Sequence, residues 1–342
     1  GLPLGIVAWG GLALSVVVAF FRQRTGELLL LAWVVPLILT IGLFEVKFLR
    51  YIAPVLPVMV LLGSRWLVDA HVWARERARV LQRAVLGVIV FVLAATGVYA
   101  FAFVGIYAKD HPGIQASKWI NENAERGAVL LTDNHWDEGF PDIGRFTVAQ
   151  LPMYEGDTLT KVERVSNQLA SGDYIMAYSN RPWGSIARLP ERYPYSSNYY
   201  RALFSGELGY ELVQGFTRYP ELAGISFVHD PFSRAGLPAP AAIPGVQGTG
   251  LAFDLGYADE NVTNYDRPLV LVWENVDRLS LSEVRNILLA DADEEGSERA
   301  MFDAVAWDAQ RAGGTWTGLF SEGGLNGAAP WLVWLLAIEP IF

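Results

Sequence analysis

The chain has 342 residues, 52% of them hydrophobic, with a formal net charge of −10 and no cysteine, which excludes disulfides, thiolate metal sites and cysteine nucleophiles. Residues 1–107 hold nine basic and four acidic residues, a net charge of +5, whereas the remainder holds 17 and 32, a net charge of −15. This asymmetry predicts two environments, and the acidic remainder excludes a nucleic-acid partner held by bulk electrostatics.

Four apolar runs predict four transmembrane helices in a membrane region that covers residues 1–107. The runs are residues 2–21, 28–44, 52–68 and 84–107. Each approaches the roughly 20 residues that a helix needs to cross a bilayer. The third run carries Arg65 near its end, and the more polar residues 69–83 are expected to connect it to the fourth.

The distribution of basic residues predicts how these helices are oriented. One side collects seven basic residues, namely Arg22, Arg24, Arg65, Arg75, Arg77, Arg79 and Arg83, and the other collects Lys47, Arg50 and Lys109. Because cytoplasmic loops carry the excess of Lys and Arg, the first side is predicted to be cytoplasmic. The chain is then an integral plasma-membrane protein whose residues 108–328 are extracytoplasmic.

The short outer loop between the second and third runs contains Lys47, Arg50 and Tyr51. Two interpretations are open. The cations are either ordinary interfacial residues that extend to lipid headgroups, or they form an anion site. Arginine can hold a phosphate with two hydrogen bonds, and lysine adds a point charge, so the loop is a candidate site for a lipid phosphate.

Residues 108–328 are predicted to form an α/β domain. Helices are expected at residues 114–123, 160–170, 198–208 and 282–290, and strands at 127–132, 173–179, 210–216 and 268–274. Strands that alternate with helices favour a largely parallel sheet, and Ser280 or Ser282 is expected to cap the last helix. Residues 329–342 are interpreted as the truncated start of a fifth membrane helix, and the chain as a fragment of a longer protein.

Asp133, His135 and Asp137 follow the first predicted strand of this domain. The carboxyl end of a parallel strand is where open α/β sheets bind ligands. These side chains could hold a divalent metal or work as acid and base. The alternative is a polar loop, because the segment has no motif with defined metal spacing. No cofactor is assigned, and a divalent metal stays an open alternative.

Arg181, Arg188 and Arg192 lie among several aromatic residues after the second predicted strand. Arginine pairs with phosphate, and aromatic rings stack on the apolar faces of sugars. The segment is therefore a candidate substrate-binding site. The alternative is that its tyrosines and prolines anchor a long loop on the domain or on the membrane interface.

The stretch from Lys47 to Pro57 (KFLRYIAPVLP) resembles the multi-spanning C-type glycosyltransferases, which include the dolichyl-phosphate-mannose protein mannosyltransferases and the bacterial aminoarabinose transferases. Many of them carry a similar Lys/Arg-Tyr stretch followed by two prolines before a late membrane helix. The soluble part resembles the outer domain of prokaryotic relatives in segments around residues 111–120, 135–137, 188–209 and 259–268.

This resemblance implies a multi-spanning α-helical membrane bundle with an extracytoplasmic α/β domain. It implies transfer of a sugar from a polyprenyl-phosphate donor to a glycan, lipid or protein acceptor at the outer face of the lipid bilayer. The family's catalytic carboxylate lies in the first outer loop, which is expected upstream of this chain. Lys47 and Arg50 would hold the donor phosphate and stabilise the charge of the leaving group.

Two other readings of the sequence stay open. One is a membrane protein that binds or transports polyprenyl lipids or glycans without chemistry. The other is a structural or sensory membrane protein whose outer domain binds a partner. An acidic residue in the first outer loop would favour the enzyme, and internal repeats with broken helices would favour a transporter.

Overall fold

The computed structural model describes residues 2–22, 25–43, 49–133, 139–190, 192–233, 235–246, 250–258 and 260–290. They combine long apolar helices with a mixed α/β domain. Two compact units divide at Val85 and Leu86. The predicted fifth membrane helix at residues 329–342 lies outside the described residues.

The first part of the chain is helical. Its elements are α1 (Leu2–Arg22), α2 (Thr25–Gly42), a 3-10 turn (Leu49–Ile52), α3 (Leu56–Arg77) and α4 (Arg79–Val104). Within the described chain, α1 and the helix that begins at Arg79 are long and apolar enough to cross a membrane. Only 28% and 6% of their apolar windows are buried, so neither is enclosed like the core helix of a soluble protein.

The predicted connection at residues 69–83 is almost entirely helical. Helix α3 continues to Arg77 and α4 starts at Arg79, with only Ala78 in an extended conformation between them. The segment from Asp69 to Arg83 contains three Ala, four Arg and one Glu, which are strong helix formers, so its polarity does not end the helix.

Within the first unit, α1 and α3 approach closely through two glycines. A Cβ atom on Gly11 would lie 2.4 Å from the Cα of Gly63, so any larger residue would separate the helices. Trp66 of α3 donates a hydrogen bond to Ser15 of α1 at 2.9 Å. These contacts are those of packed helices in which small residues permit backbone approach.

The second unit contains helices α5 (Pro112–Asn123), α6 (Leu159–Ser171), α7 (Arg181–Ile186), α8 (Pro194–Ser205), α9 (Glu260–Thr263) and α10 (Leu281–Leu289). Its strands are β1 (Val129–Thr132), β2 (Thr147–Gln150), β3 (Tyr174–Ala177), β4 (Tyr210–Phe216), β5 (Glu221–Leu222), β6 (Ile225–Asp230), β7 (Leu251–Tyr257) and β8 (Val270–Asn275). The four helices and four strands that the sequence predicts are all present, with shifts at most of their ends. Ser280 caps α10 in a capping box with Glu283.

The main sheet has the strand order β2-β1-β3-β8-β4. Strands β1, β2 and β3 are parallel, whereas β8 is antiparallel to both β3 and β4. The sheet is thus less parallel than the sequence predicts. Because β8 runs opposite to β3, it begins at the edge where β1 and β3 end. The residues just before β8 therefore lie at the carboxyl edge of the parallel strands.

Helices cover both faces of this sheet. Residues of α6, α8 and α10 pack on one face, around Leu131, Ile175 and Trp273. Helix α5 packs on the other face, around Leu130 and Met176. Adjacent strand residues point to opposite faces, which is why continuous apolar strands are buried on both sides.

One buried ion pair joins α6 to the start of α8. The Lys161 ammonium lies 2.7 Å from Asp157 Oδ1 and donates to the backbone oxygens of Met153 and Glu155 and to Ser196 Oγ. The other Asp157 oxygen accepts from the Ser196 backbone N–H at 2.9 Å. Every hydrogen of the ammonium has an oxygen acceptor, so the pair fixes the two helices together.

A second sheet, with the order β5-β6-β7, was not predicted. Its hairpin turns through Ala223 and Gly224, both with positive φ (52° and 79°), as a two-residue turn of this handedness requires. Strand β7 is parallel to β6 and follows a stretch rich in Pro and Gly at residues 236–250.

Candidate functional site

The carboxyl edge of β1 and β3 gathers side chains from four segments, which we call the edge site. The Tyr107 hydroxyl donates to Asp266 Oδ1. His111 Nε2 lies 3.3 Å from the Tyr265 carbonyl oxygen. Arg181 Nη2 donates to the Tyr265 hydroxyl at 3.1 Å. The turn before β8 thus connects the end of α4, the start of α5 and the start of α7.

The imidazole of His111 caps α5. Its Nδ1 accepts a hydrogen bond from the Gly113 N–H at 3.1 Å, so in the neutral ring the proton sits on Nε2 and points to Tyr265. Burial lowers the pKa of His111, and the Tyr265 carbonyl and Asp266 oppose this only in part. With both nitrogens engaged, His111 connects the start of α5 to the turn before β8.

An open cavity of about 500 Å³ adjoins these residues. It is lined by His111, Gly113, Ile114, Gly139, Phe140, Pro141 and Tyr178. The His111 ring stacks on Tyr178 with centroids 6.1 Å apart, and Phe140 meets the Tyr178 ring edge to face at 5.4 Å. Aromatic walls of this kind suit the apolar face of a sugar ring.

Arg181 and Tyr265 form a cation–aromatic pair in the edge site. The Arg181 guanidinium lies over the Tyr265 ring, 5.5 Å from its centroid, and Tyr265 is 58% exposed. The contact orients a planar cation beside an accessible ring. Such a pair can contact a sugar and an attached phosphate together.

The other two predicted arginines have different surroundings. The Arg192 guanidinium lies 5.4 Å from the ring centroid of Tyr193, a buried residue at the start of α8. Arg188 is exposed. Of the three, the contacts place only Arg181 at the edge site.

Asp133 was predicted as a metal ligand or catalytic acid. It is 2% exposed and accepts a hydrogen bond from the Tyr200 hydroxyl at 3.0 Å. Burial and the nearby carboxylate raise the pKa of Tyr200 well above its usual value, so the phenol stays a donor. His135 and Asp137 lie outside the described residues. Among the residues that are described, no three His, Cys, Asp or Glu residues gather where they could hold a metal.

The predicted phosphate loop is described in part. Lys47 and the side chain of Arg50 lie outside the described residues, and the Arg50 backbone belongs to the 3-10 turn Leu49–Ile52. Tyr51 is half-buried in that turn. The phosphate site at this loop therefore stays a prediction.

Comparisons with protein-family models, with curated proteins and with solved structures gave no match.

The edge site includes His111 and Tyr265, which lie in segments that carry the family resemblance but were not predicted to be functional. The available signal was an aromatic and charged turn directly before a buried strand, at Tyr265, Asp266 and Arg267. This turn lies at the carboxyl edge of β1 and β3 only because β8 runs antiparallel to β3. The sequence did not show the direction of β8.

Proposed function

We propose that this chain is part of a membrane glycosyltransferase with a multi-spanning helical bundle in the plasma membrane. It would transfer a sugar from a polyprenyl-phosphate donor to a glycan, lipid or protein acceptor at the outer face. The observation that carries the proposal is an open aromatic cavity close to the end of an apolar helix, lined by His111, which also contacts the Tyr265 carbonyl of the edge site. His111, which lines the cavity, follows the last residue of α4 by seven positions, at most about 25 Å of extended chain.

The charge distribution supports the proposed orientation. Arg75, Arg77, Arg79 and Arg83 lie at the junction of α3 and α4, and the opposite end of α4 leads into the acidic domain. An excess of basic residues belongs on the cytoplasmic side. The cavity would then face outward, where polyprenyl-linked sugars are presented.

The reaction assigns separate tasks to two groups of residues. An acceptor hydroxyl oxygen forms a bond to the anomeric carbon of the sugar, the bond from that carbon to the phosphate oxygen breaks, and polyprenyl phosphate leaves. Lys47 and Arg50 would bind the phosphate and stabilise its growing charge. Arg181 and Tyr265 would orient the sugar. A base must take the acceptor proton, and we assign this role to none of the described residues.

The proposal is tested by polyprenyl-phosphate binding to the full-length protein in nanodiscs. Lys47→Ala and Arg50→Ala should each weaken binding by about 1.5–3 kcal/mol, because each removes a charge-assisted contact. Arg83→Ala is the matched control, since it removes an arginine from the predicted cytoplasmic side. Transfer of labelled sugar from the same donor lipid should fall with the first two variants.

Two results would contradict the proposal, the first for the donor loop and the second for the sugar transfer. If the wild type and the variants bind alike, the outer loop holds no donor phosphate. If binding depends on Lys47 and Arg50 but no sugar is transferred to any acceptor fraction, the protein binds or transports the lipid without chemistry.

A further inference from the structure

The turn that precedes β8 buries polar groups that have no partner. Arg267 is 1% exposed, and its Nε and Nη2 make no hydrogen bond within the described chain. Asn264, three residues earlier, is also 1% exposed, and neither its amide nitrogen nor its oxygen is bonded there. Both residues follow α9, on a turn closed by the hydrogen bond from Arg267 N to Thr263 O.

A buried guanidinium without a counter-ion is unstable by itself. Removing the charge from water is costly, and only a close anion or several hydrogen bonds offset that cost. Within the described chain, no carboxylate forms an ion pair with Arg267. Asp266 is the neighbour in sequence, but its carboxylate accepts a hydrogen bond from the Tyr107 hydroxyl. Burial accordingly lowers the pKa of Arg267, and the nearby Tyr99, Asp266 and Tyr219 counteract this in part.

One further basic side chain, His229 of β6, lies near Arg267, because the charge of Arg267 acts on its ring. Neither ring nitrogen of His229 makes a hydrogen bond of good geometry, although the nearby Gly256 backbone favours the charged ring. We call Arg267, Asn264 and His229 the Arg267 cluster.

His229 is a neutral hydrogen-bond donor at pH 7. Burial and the charge of Arg267 lower its pKa to about 4, against the weaker influence of Asp254 and Gly256. The cluster thus offers guanidinium, amide and imidazole N–H groups that lack acceptors. Together these donors are complementary to an oxyanion with several oxygen atoms.

The Arg267 cluster lies beside the last turns of α4. Tyr99 is close enough to act on the charge of Arg267, and its ring meets Phe227 of β6 edge to face at 5.2 Å. Tyr99 precedes the end of α4 by five residues, about 7.5 Å along the axis. Along the axis of α4, the small sheet therefore lies at the height of the last turns of this helix.

The adjacent surface of the small sheet is apolar. Leu251, Phe253 and Leu255 alternate along β7 and so share one face, and they are 60%, 48% and 46% exposed. Phe253 stacks on Phe227, so this face continues to Tyr99 of α4. An exposed apolar row next to a membrane-spanning helix suits acyl chains.

We propose that the Arg267 cluster binds a phosphate group at the membrane surface, with the apolar row of β7 against the lipid that carries it. A phosphate oxyanion satisfies the unbonded N–H groups of Arg267, Asn264 and His229. A lipid headgroup and free phosphate share this chemistry, and the apolar row favours the lipid. The proposed site uses other residues than Lys47 and Arg50 and does not depend on sugar transfer.

The test uses the full-length protein, delipidated in a neutral detergent. Its thermal unfolding midpoint is measured with inorganic phosphate, with phosphatidic acid, and with diacylglycerol, which has the same chains but no phosphate. We expect phosphatidic acid to raise the midpoint and diacylglycerol to leave it unchanged. In Arg267→Gln the concentration needed for half the shift should rise at least about tenfold.

Two variants complete the design. Arg267→Lys keeps the charge but loses the planar fork, so its loss should be smaller than that of Arg267→Gln. Arg201→Gln removes an exposed arginine of α8 and should behave like the wild type. A shift with inorganic phosphate alone would identify the free anion as a sufficient ligand.

Three results would overturn the proposal. Equal stabilisation of wild type and Arg267→Gln would show that the guanidinium does not bind the phosphate. Equal midpoint shifts with phosphatidic acid and with diacylglycerol would show that the protein contacts only the acyl chains and does not bind the phosphate. If Arg267→Gln fails to fold, Arg267 has a structural partner within the protein instead of a ligand.

Discussion

Two buried cations in the second unit have opposite surroundings. Lys161 is 4% exposed and has four oxygen partners, from two backbone carbonyls, Asp157 and Ser196. Arg267 is 1% exposed, and two of its three guanidinium nitrogens have no acceptor. Burial lowers the pKa of both, but only Lys161 has a carboxylate in contact to offset it.

The difference separates a structural group from a binding group. A satisfied buried ion pair orders the elements it joins, and loss of one partner leaves an uncompensated charge. The charge of an unsatisfied buried cation destabilises the fold until an anion binds, because nothing offsets its desolvation. Burial alone therefore does not indicate which cation binds a ligand, whereas the count of hydrogen-bond partners does.

The largest expected effect concerns Lys161. Lys161→Met should lower the free energy of unfolding by about 3–5 kcal/mol, because it leaves Asp157 charged and buried without its counter-ion. Chemical denaturation followed by tryptophan fluorescence measures this change. Lys118→Met, which removes an exposed lysine paired with Asp110, is the control and should change little. Equal losses of unfolding free energy in Lys161→Met and Lys118→Met would show that the buried ion pair stabilises the fold no more than an exposed pair does.

Two adjacent tyrosines repeat the comparison with neutral groups. The Tyr200 hydroxyl donates to buried Asp133, whereas the Tyr199 hydroxyl is equally buried and has no hydrogen-bond partner in the described chain. Tyr200→Phe should cost about 1–3 kcal/mol of unfolding free energy, and Tyr199→Phe should be nearly neutral. The same denaturation experiment measures both, and the reverse ranking would contradict the assignment of partners.

The edge site extends the comparison to an accessible arginine. Arg181→Ala removes the cation over Tyr265 and should weaken binding of the sugar-carrying donor about tenfold, with little change in stability. Binding is measured by titration of the donor into nanodiscs, with Arg188→Ala as the exposed control. If Arg188→Ala weakened binding as much as Arg181→Ala, the edge site would not be the substrate site.

The smallest expected effect is the pH dependence from His229. Its pKa is about 4 in the folded chain and 6.5 in the unfolded chain, so unfolding takes up a proton between these values. Its contribution to stability is complete above pH 6.5, declines as the pH falls towards 4 and is constant below that. After allowance for partial exposure the change is on the order of 1 kcal/mol.

His229→Gln should remove this dependence when unfolding is measured between pH 7.5 and 4. Phosphate should reduce the same dependence in the wild type, because a bound anion favours the protonated ring. An unchanged pH profile in His229→Gln would assign the titration to other groups.

Local patterns in the sequence predicted much of the second unit. Strand β4 was predicted with its observed ends, and Ser280 was expected to cap the last helix. Both depend on neighbouring residues, namely the Tyr, Leu, Val and Phe residues of the strand after Gly209 and a serine three residues before a glutamate. Helix α4 was likewise evident from its apolar length.

The missing features depend on contacts between distant segments. Lys161 looks like an exposed helix residue until Asp157 and Ser196 are known to surround it. The direction of β8 is set by its neighbours β3 and β4 and leaves no local pattern. Arg267 became a candidate only once that direction placed its turn beside Tyr99 and His229, so no sequence motif could identify it.

The most direct test of the account compares Arg267→Met with Lys161→Met in delipidated, phosphate-free detergent. The free energy of unfolding of each variant is measured against the wild type. The account predicts that Lys161→Met loses several kcal/mol, while Arg267→Met is unchanged or more stable, because it removes a charge that lacks a partner. A loss in Arg267→Met as large as that in Lys161→Met would show that Arg267 is a structural cation and would contradict the phosphate site.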